Sequence, residues 1–229
     1  MIREVYIIMP VFNESEVLQK TINSLKKKFK NIIAINDAST DNSEDILKKN
    51  NIFTINHPIN LGQGAAIDTG FKYIIHDTEA IAVVTFDADG QHDAEDAKKF
   101  AEEIIKCDEG IIFGTRFLEY STNIPFLKNL VLRSAVLLTN IIMRTKLTDT
   151  HNGLKAYKRE ALNKINIINN GYSFESEILM EVMKNRISYK EMSTNIKYTE
   201  YSIKKGQSIR NSIIIAEDIL KLIIKRFIN

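Results

Sequence analysis

The chain has 229 residues, 44% of them hydrophobic and 26% charged, with a net charge of +2 at pH 7. These are globular values, not those of a disordered tail, and the near-balanced charge gives no general reason to expect a nucleic-acid partner. The single cysteine, Cys107, excludes an internal disulfide and a cysteine-built zinc site, and it fits a reducing compartment. From the N-terminus, "EVYIIMP" reads as a strand and residues 14–29 as an amphipathic helix. "NIIAIND" is a strand, residues 41–49 a short helix, "IFTIN" a strand and residues 63–76 a helix. "AIAVVTF", a helix over 93–106 and the strand "GIIFG" complete an alternating series. Strands alternating with helices of this length predict parallel βαβ units. Their near-continuous apolar character predicts helices on both sheet faces. Beyond residue 115 the rhythm changes. Residues 124–147 are apolar and acid-free, with Lys128, Arg133, Arg144 and Lys146. "GLKAYK" and "ISYKEMSTNIKY" look like strands flanking a helix over 174–185. Residues 212–229 form an amphipathic helix with Glu217, Lys221 and Lys225 on one polar face. No internal repeat, low-complexity linker or domain boundary interrupts the chain.

Polar residues gather at the carboxyl ends of the predicted strands, the edge where open α/β sheets bind ligands. Asn13 and Glu14 follow the first strand, Asp37 ends the second, Asn60 follows the third, and Asp87 and Asp89 follow the fourth. Two carboxylates one residue apart repel and raise each other's pKa, and a divalent cation removes that cost. Hard oxygen ligands suit Mg²⁺ or Mn²⁺, although Asp and Gly are also ordinary loop residues after a strand. A strand ending in this DxD pattern also opens the active site of haloacid-dehalogenase-type phosphatases, on their first strand and followed by threonine or valine. Here it follows the fourth strand, with Gln91 in that place. In "PVFNE", residues 10–14, Pro10 is expected to stop the first strand and Asn13 to cap the next helix. In "INDASTDNS", residues 35–43, Asp41 or Ser39 is expected to cap the following helix, and Asp37 could accept from a ribose hydroxyl or a base N–H. "NLGQGAAIDTG", residues 60–70, lacks GxGxxG spacing, but its glycine-rich helix entry can present backbone N–H groups to a phosphate.

In their order along the chain these pieces resemble family 2 glycosyltransferases of the GT-A fold, most of all the branch of dolichyl-phosphate mannose synthases and polyprenyl-phosphate glycosyltransferases. The resemblance rests on Pro10–Glu14, Asp37 with Ser39 and Asp41, Asn60–Gly64, Asp87–His92, "GTRF" at 114–117, Arg133, "DTHNGLKAY" at 149–157 and "GYSFESEIL" at 171–179. It implies a Rossmann-like α/β/α sandwich with a mainly parallel sheet. It also implies an inverting transfer from a nucleotide-sugar donor that needs Mg²⁺ or Mn²⁺. Pro10, Phe12, Glu14, Asp37, Asn60, Gly64, Asp87 and Ala88 would then hold the nucleotide sugar, and Asp87, Asp89 and Gln91 the metal. Arg116, Arg133 and Lys205 would grip an acceptor phosphate, a role suited to the planar guanidinium fork. A lipid-phosphate acceptor is already an anion. A saccharide hydroxyl would need a general base, for which Asp149, Glu175 and Glu177 are the candidates beside the catalytic Asp89. Two departures stand out. Asn36 replaces the second acidic residue often found beside Asp37. In "IKKGQSIR", Ile203 and Ile209 occupy positions that are often basic, with Lys204, Lys205 and Arg210 nearby.

The expected organisation is one domain over 1–229. A nucleotide-sugar half (1–115) precedes an acceptor half (116–229) that holds the basic apolar helix 124–147 and the C-terminal amphipathic helix. No stretch approaches the length of a membrane span, while basic apolar segments suit a bilayer interface. The expectation is a cytoplasmic protein, peripheral on the inner face of the membrane, acting on a polyprenyl-phosphate or glycan acceptor and able to pair with a separate membrane-spanning subunit.

Overall fold

The computed structural model describes residues 2–118, 126–150, 152–171, 174–197 and 201. The alternating half runs β1 (Val5–Val11), α1 (Ser15–Lys26), β2 (Ile32–Asn36), α2 (Ser43–Lys49), β3 (Phe53–Asn56), α3 (Gln63–Asp77), β4 (Ala82–Thr85), α4 (Ala94–Lys106) and β5 (Ile111–Thr115). Then follow α5 (Phe126–Met143), β6 (Lys155–Lys158), the single turn α6 (Arg159–Leu162), α7 (Phe174–Lys184) and β7 (Tyr189–Ser193). Every strand and helix expected up to residue 115 is present in the predicted order. The expected C-terminal helix lies outside the described residues.

Seven strands form one sheet in the order β3-β2-β1-β4-β6-β5-β7. Pairing is parallel except at β6, which runs antiparallel between β4 and β5. Its register, Thr85 opposite Lys155, has a direct consequence. Being antiparallel, β6 begins at the edge where β4 ends, so Asn152 and Gly153 lie beside the aspartates that follow β4. The Thr85 hydroxyl donates to the Gly153 carbonyl at 2.8 Å and fixes that approach.

Side chains alternate across the sheet as the two-residue strand period requires. Val5, Ile7, Met9 and Val11 join α1 and α4 through Leu18, Ile22, Phe100 and Ile104. Ile8, Ile33 and Ile35 join α3 and α7 through Ile67, Phe71, Ile74, Ile178 and Val182. β3 departs from the expected burial on both faces. It is the sheet's edge, and Phe53 is 52% exposed, stacked on Tyr73. The C-terminus of α3 is closed from afar. The Arg159 guanidinium donates to the carbonyls of Ile75, Thr78 and Ala80, so its charge meets the negative end of the helix dipole.

Two local expectations are corrected. Pro10 does not stop β1, which continues to Val11 opposite Asn36. Odd-numbered amides and carbonyls of β1 face β2, as Ile7 N–H to Asn31 and Asp37 N–H to Val11 show, so the missing Pro10 N–H falls on the β4 side. There pairing ends at Ile8 opposite Thr85, and the two strands part beyond it. Asn13 does not cap α1 either. It sits at φ 54° and turns its carbonyl oxygen to the Thr40 N–H at 2.7 Å. The cap comes from Asp41, whose Oδ2 accepts from Ser15 N–H and Oδ1 from Ser43 N–H, both at 2.9 Å. One carboxylate thus serves the first turns of two helices.

Burial pushes the Asp41 carboxyl up, but the hydrogen bonds from Ser43 and Ser15 outweigh it and bring it to about 2. The group is depressed on folding, so its stabilisation is present above its ordinary value near 3.8 and is lost as pH falls toward 2. Asp41→Ala is expected to lower unfolding free energy by about 1–2 kcal/mol at neutral pH. Urea titrations of both proteins should show that deficit shrinking steadily as the pH falls from 3.8 toward 2.

Candidate active site

The strand order reverses between β1 and β4, and the residues after β4 lie at that switch point on the sheet's carboxyl edge, where open α/β sheets bind ligands. Asp87 and Asp89 follow Phe86, and Gly90 takes φ 75°, a left-handed turn suited to glycine. Asp87 is held from three directions. Its Oδ1 accepts from Gln63 Nε2, at the start of α3, at 3.1 Å. Its Oδ2 lies 3.5 Å from Nε2 of His92, a buried ring packed on Phe86. The backbone of Gly153 abuts it so closely that a Cβ there would stand 2.0 Å from Oδ2. Burial pushes the Asp87 carboxyl up. The His92 hydrogen bond and the charges of His92, Lys155 and Arg116 more than offset this, so it titrates below the usual range.

Asp89 has the opposite balance. Burial and the neighbouring Asp87 charge raise its carboxyl to about 6, against weaker opposing effects from His92 and the Gln91 amide. That amide donates to Asp89 Oδ1 at 3.0 Å. The Gln91 carbonyl accepts from Lys197 N–H, so the segment after β7 holds the aspartate loop in place. Among the described residues no group of three or more His, Cys, Asp or Glu side chains could cage a metal. Two hard carboxylates, whose mutual repulsion lifts Asp89, fit a cation that keeps waters and takes its other ligands from a substrate phosphate. Mg²⁺ and Mn²⁺ are such ions.

The predicted nucleotide residues line the β1–β2–β3 side. Phe12 is 40% exposed just past the end of β1, while Ala88 is buried and its carbonyl accepts from the Thr21 hydroxyl at 3.4 Å. Glu14 accepts from the Tyr201 hydroxyl at 2.8 Å. Asp37 turns inward. Its Oδ1 accepts from His57 Nδ1 at 2.7 Å and Leu61 N–H at 2.8 Å, and its Oδ2 from Gly62 N–H at 2.8 Å. Asn60 adds a longer bond to the Asp37 carbonyl at 3.4 Å. The glycine-rich turn therefore does not offer these amides to a phosphate, as the sequence suggested. Gly62 N–H serves Asp37 and Gly64 N–H serves the Asn170 carbonyl. Both glycines are needed for close approach, since a Cβ would meet the Asn170 oxygen at 2.3 Å from Gly62 and the Asn169 oxygen at 2.1 Å from Gly64. Asn36 bonds Asn56 across β2 and β3, which gives the departure from the acidic pair a structural role.

Beyond β5, Arg116 and Asp149 form one buried unit, with Arg116 Nε 2.6 Å from Asp149 Oδ2. Lys155 is ion-paired with Glu175 and donates to the Asn152 carbonyl. Burial lifts the Glu175 carboxyl, Lys155 opposes the rise, and the charges of Asp87 and Asp149 add to it, leaving it above its ordinary value. Glu177 holds backbone instead. Its Oε2 accepts from the Ile168 and Asn169 amides at 2.9 and 2.8 Å, which fixes the loop that Gly62 and Gly64 touch. Arg133 is exposed on α5, with its guanidinium 5.5 Å from the centre of the Phe117 ring. Lys205 lies outside the described residues.

Gln63, His92, Gly153 and Lys155 contact or face the aspartates, and sequence reasoning gave none of them a role. A lysine inside the apolar strand "GLKAYK" was the legible signal, because such a charge is buried only with a partner.

Known proteins resemble this chain in sequence and in fold. Residues 6–166 match the family model described as glycosyl transferase family 2. The chain is 29% identical to a UDP-N-acetylglucosamine–dolichyl-phosphate N-acetylglucosaminyltransferase of Methanococcus voltae, over 90% of this chain and 90% of that protein. It is 23% identical to a polyprenol monophosphomannose synthase of Mycolicibacterium smegmatis, over 90% of this chain and 83% of the relative. Its fold is that of glucosyl-3-phosphoglycerate synthase from Mycobacterium tuberculosis, solved with Mn²⁺, UDP and glucosyl-3-phosphoglycerate. The TM-score is 0.72 at 14% identity, covering 96% of this chain and 79% of that one. The architecture is thus the GT-A fold, with the mainly parallel sheet expected from the sequence.

Asp89 must lose its proton to bind a cation. Mn²⁺ titrated into the protein is expected to bind with an affinity that falls about tenfold per unit below the Asp89 value near 6 and levels off above it. Calorimetry across that range checks this, and an affinity independent of pH would contradict it.

Proposed function

The chain belongs to glycosyl transferase family 2, and from that premise we propose that it transfers a sugar from a nucleotide-sugar donor to a polyprenyl phosphate, with inversion at the anomeric carbon. The observation that carries the reading is the pair Asp87–Asp89 directly after β4, at the sheet's carboxyl edge, with Glu14 near enough to act on the Asp89 carboxyl. Asp87 and Asp89, with Gln91 beside them, would hold Mg²⁺ or Mn²⁺. When bound, that cation neutralises the donor diphosphate and stabilises it as leaving group. Pro10, Phe12, Glu14, Asn60 and Ala88 would hold the nucleoside end. Asp37 and Gly64 would act from behind, as the inward anchors of the loop.

The relatives named for dolichyl phosphate and polyprenol support the lipid acceptor. A phosphate monoester is an anion at neutral pH, so its oxygen can attack the sugar directly. Arg116, Arg133 and Lys205 would position it by charge-assisted hydrogen bonds. Arg133, Arg144 and Lys146 are exposed near the exposed apolar residues Leu137, Leu138 and Ile141 of α5, a pattern that suits an anionic membrane surface. Among the described residues no helix is long and apolar enough to cross a membrane. We read the chain as one catalytic domain, peripheral on the cytoplasmic face of the membrane and able to work beside a separate membrane-spanning subunit. A saccharide hydroxyl is the second reading of the acceptor. The raised Glu175 carboxyl favours it, because a base must take that proton. A nucleotide-binding protein without turnover is the remote third.

Nucleotide release from UDP-, GDP- and dTDP-sugars, with Mn²⁺ or Mg²⁺ and with or without a short polyprenyl phosphate, separates these readings. Release that requires the lipid and vanishes in Asp89→Ala is the expected result. Slow release indifferent to lipid would contradict the lipid acceptor, and release from no donor would contradict the transferase reading.

A further inference from the structure

We infer that His57, far along the chain from the aspartate pair, is a positioning residue for Asp87 that acts through the loop between β3 and α3. The inference rests on the donor-site reading above. His57 is buried, and both its ring nitrogens are engaged: Nδ1 with Asp37 Oδ1 at 2.7 Å and Nε2 with the Thr69 hydroxyl of α3 at 3.0 Å. A carboxylate only accepts, so Nδ1 carries the hydrogen toward Asp37. The Thr69 hydroxyl can donate to Nε2 or accept from it. The ring is therefore fixed in orientation whichever way that outer bond runs.

What the ring fixes is Asp37, and what Asp37 fixes is the loop. Its two oxygens take the amides of Leu61 and Gly62 at 2.8 Å each. Gly62, at φ 98°, is held against Asn170, and the next residue is Gln63, whose Nε2 reaches Asp87 Oδ1 at 3.1 Å. The contacts run without a gap from Thr69 through His57, Asp37 and Gly62 to Gln63 and the aspartate. A ligand carboxylate holds its geometry through the groups that hydrogen-bond it from outside, and losing such a group weakens cation affinity by about 10–100-fold. His57 supplies that support at one remove, because without it Asp37 has only the loop's own amides to set its rotamer. The same loop rests on the 168–170 segment that Glu177 anchors, so its position is defined from both sides.

The test is calorimetry of Mn²⁺ binding in the presence of saturating UDP, together with thermal unfolding. His57→Ala should weaken Mn²⁺ binding about tenfold. His57→Asn, which keeps a donor near the Nδ1 position, should restore it to within about threefold. Gln63→Leu should match the His57→Ala loss, and the double variant should add little, because the two act in series. Since His57→Ala removes a partner from a buried carboxylate and can impair folding, Thr69→Val is the second variant. It leaves the Asp37 bond in place and should weaken Mn²⁺ binding in the same direction by a smaller factor. Unchanged Mn²⁺ affinity in folded His57→Ala or Thr69→Val, or losses that multiply in the double variant, would overturn the inference while leaving the donor site intact. A wild-type chain that binds UDP no better with Mn²⁺ would overturn the donor-site reading and this inference together.

Discussion

The packing of Asp87 against the backbone of Gly153 is the constraint on which the rest of the site depends. The antiparallel strand β6 begins where β4 ends, and a side chain at 153 would not fit between its backbone and Asp87. That arrangement brings Asn152 and Lys155 to the end of β4, and with Lys155 comes Glu175 of α7. The charge of Asp87 in turn reaches Glu175, where it helps burial to raise the carboxyl. The His92 hydrogen bond and the charges of His92, Lys155 and Arg116 stabilise the Asp87 carboxylate, whereas burial and the Asp87 charge leave Asp89 titrating high. A site that holds one carboxylate charged and leaves its neighbour poised is arranged for a further positive charge.

The alternating half of the fold was legible because its signals are local. Strand-length apolar runs separated by amphipathic segments fix β1 to β5 and their order, and a parallel sheet follows from helical connections of that length. The direction of β6 was not legible, since "GLKAYK" has the same pattern whether it runs with its neighbours or against them. Pro10 misled for a related reason. A proline interrupts pairing on one side of a strand only, and the sequence does not say which neighbour has already ended there.

In the candidate site, the paired aspartates stood out in the sequence because two carboxylates one residue apart repel each other. Partners distant along the chain did not. Asp41 was expected at one helix start and serves two, because the start of α1 happens to lie beside it. The partners of Asp37, expected to hold the nucleotide, were not legible either: its oxygens accept from His57 and from the amides of residues 61 and 62. The glycines of that loop suggested a close-packed turn or amides offered to a phosphate, and they are places where two backbones touch, the second backbone being one the sequence did not name. In each case the residue type was informative and the recipient of its hydrogen bonds was not.

The most direct test of this account is to place a methyl group where Asp87 leaves no room. Gly153→Ala and the wild-type chain would be titrated with UDP and with GDP, in the presence and absence of Mn²⁺, alongside thermal unfolding of both proteins. The account predicts that the variant folds but loses the Mn²⁺-dependent part of nucleotide binding, because Asp87 must leave its position beside Asp89. Mn²⁺-dependent binding of wild-type strength in Gly153→Ala would contradict it.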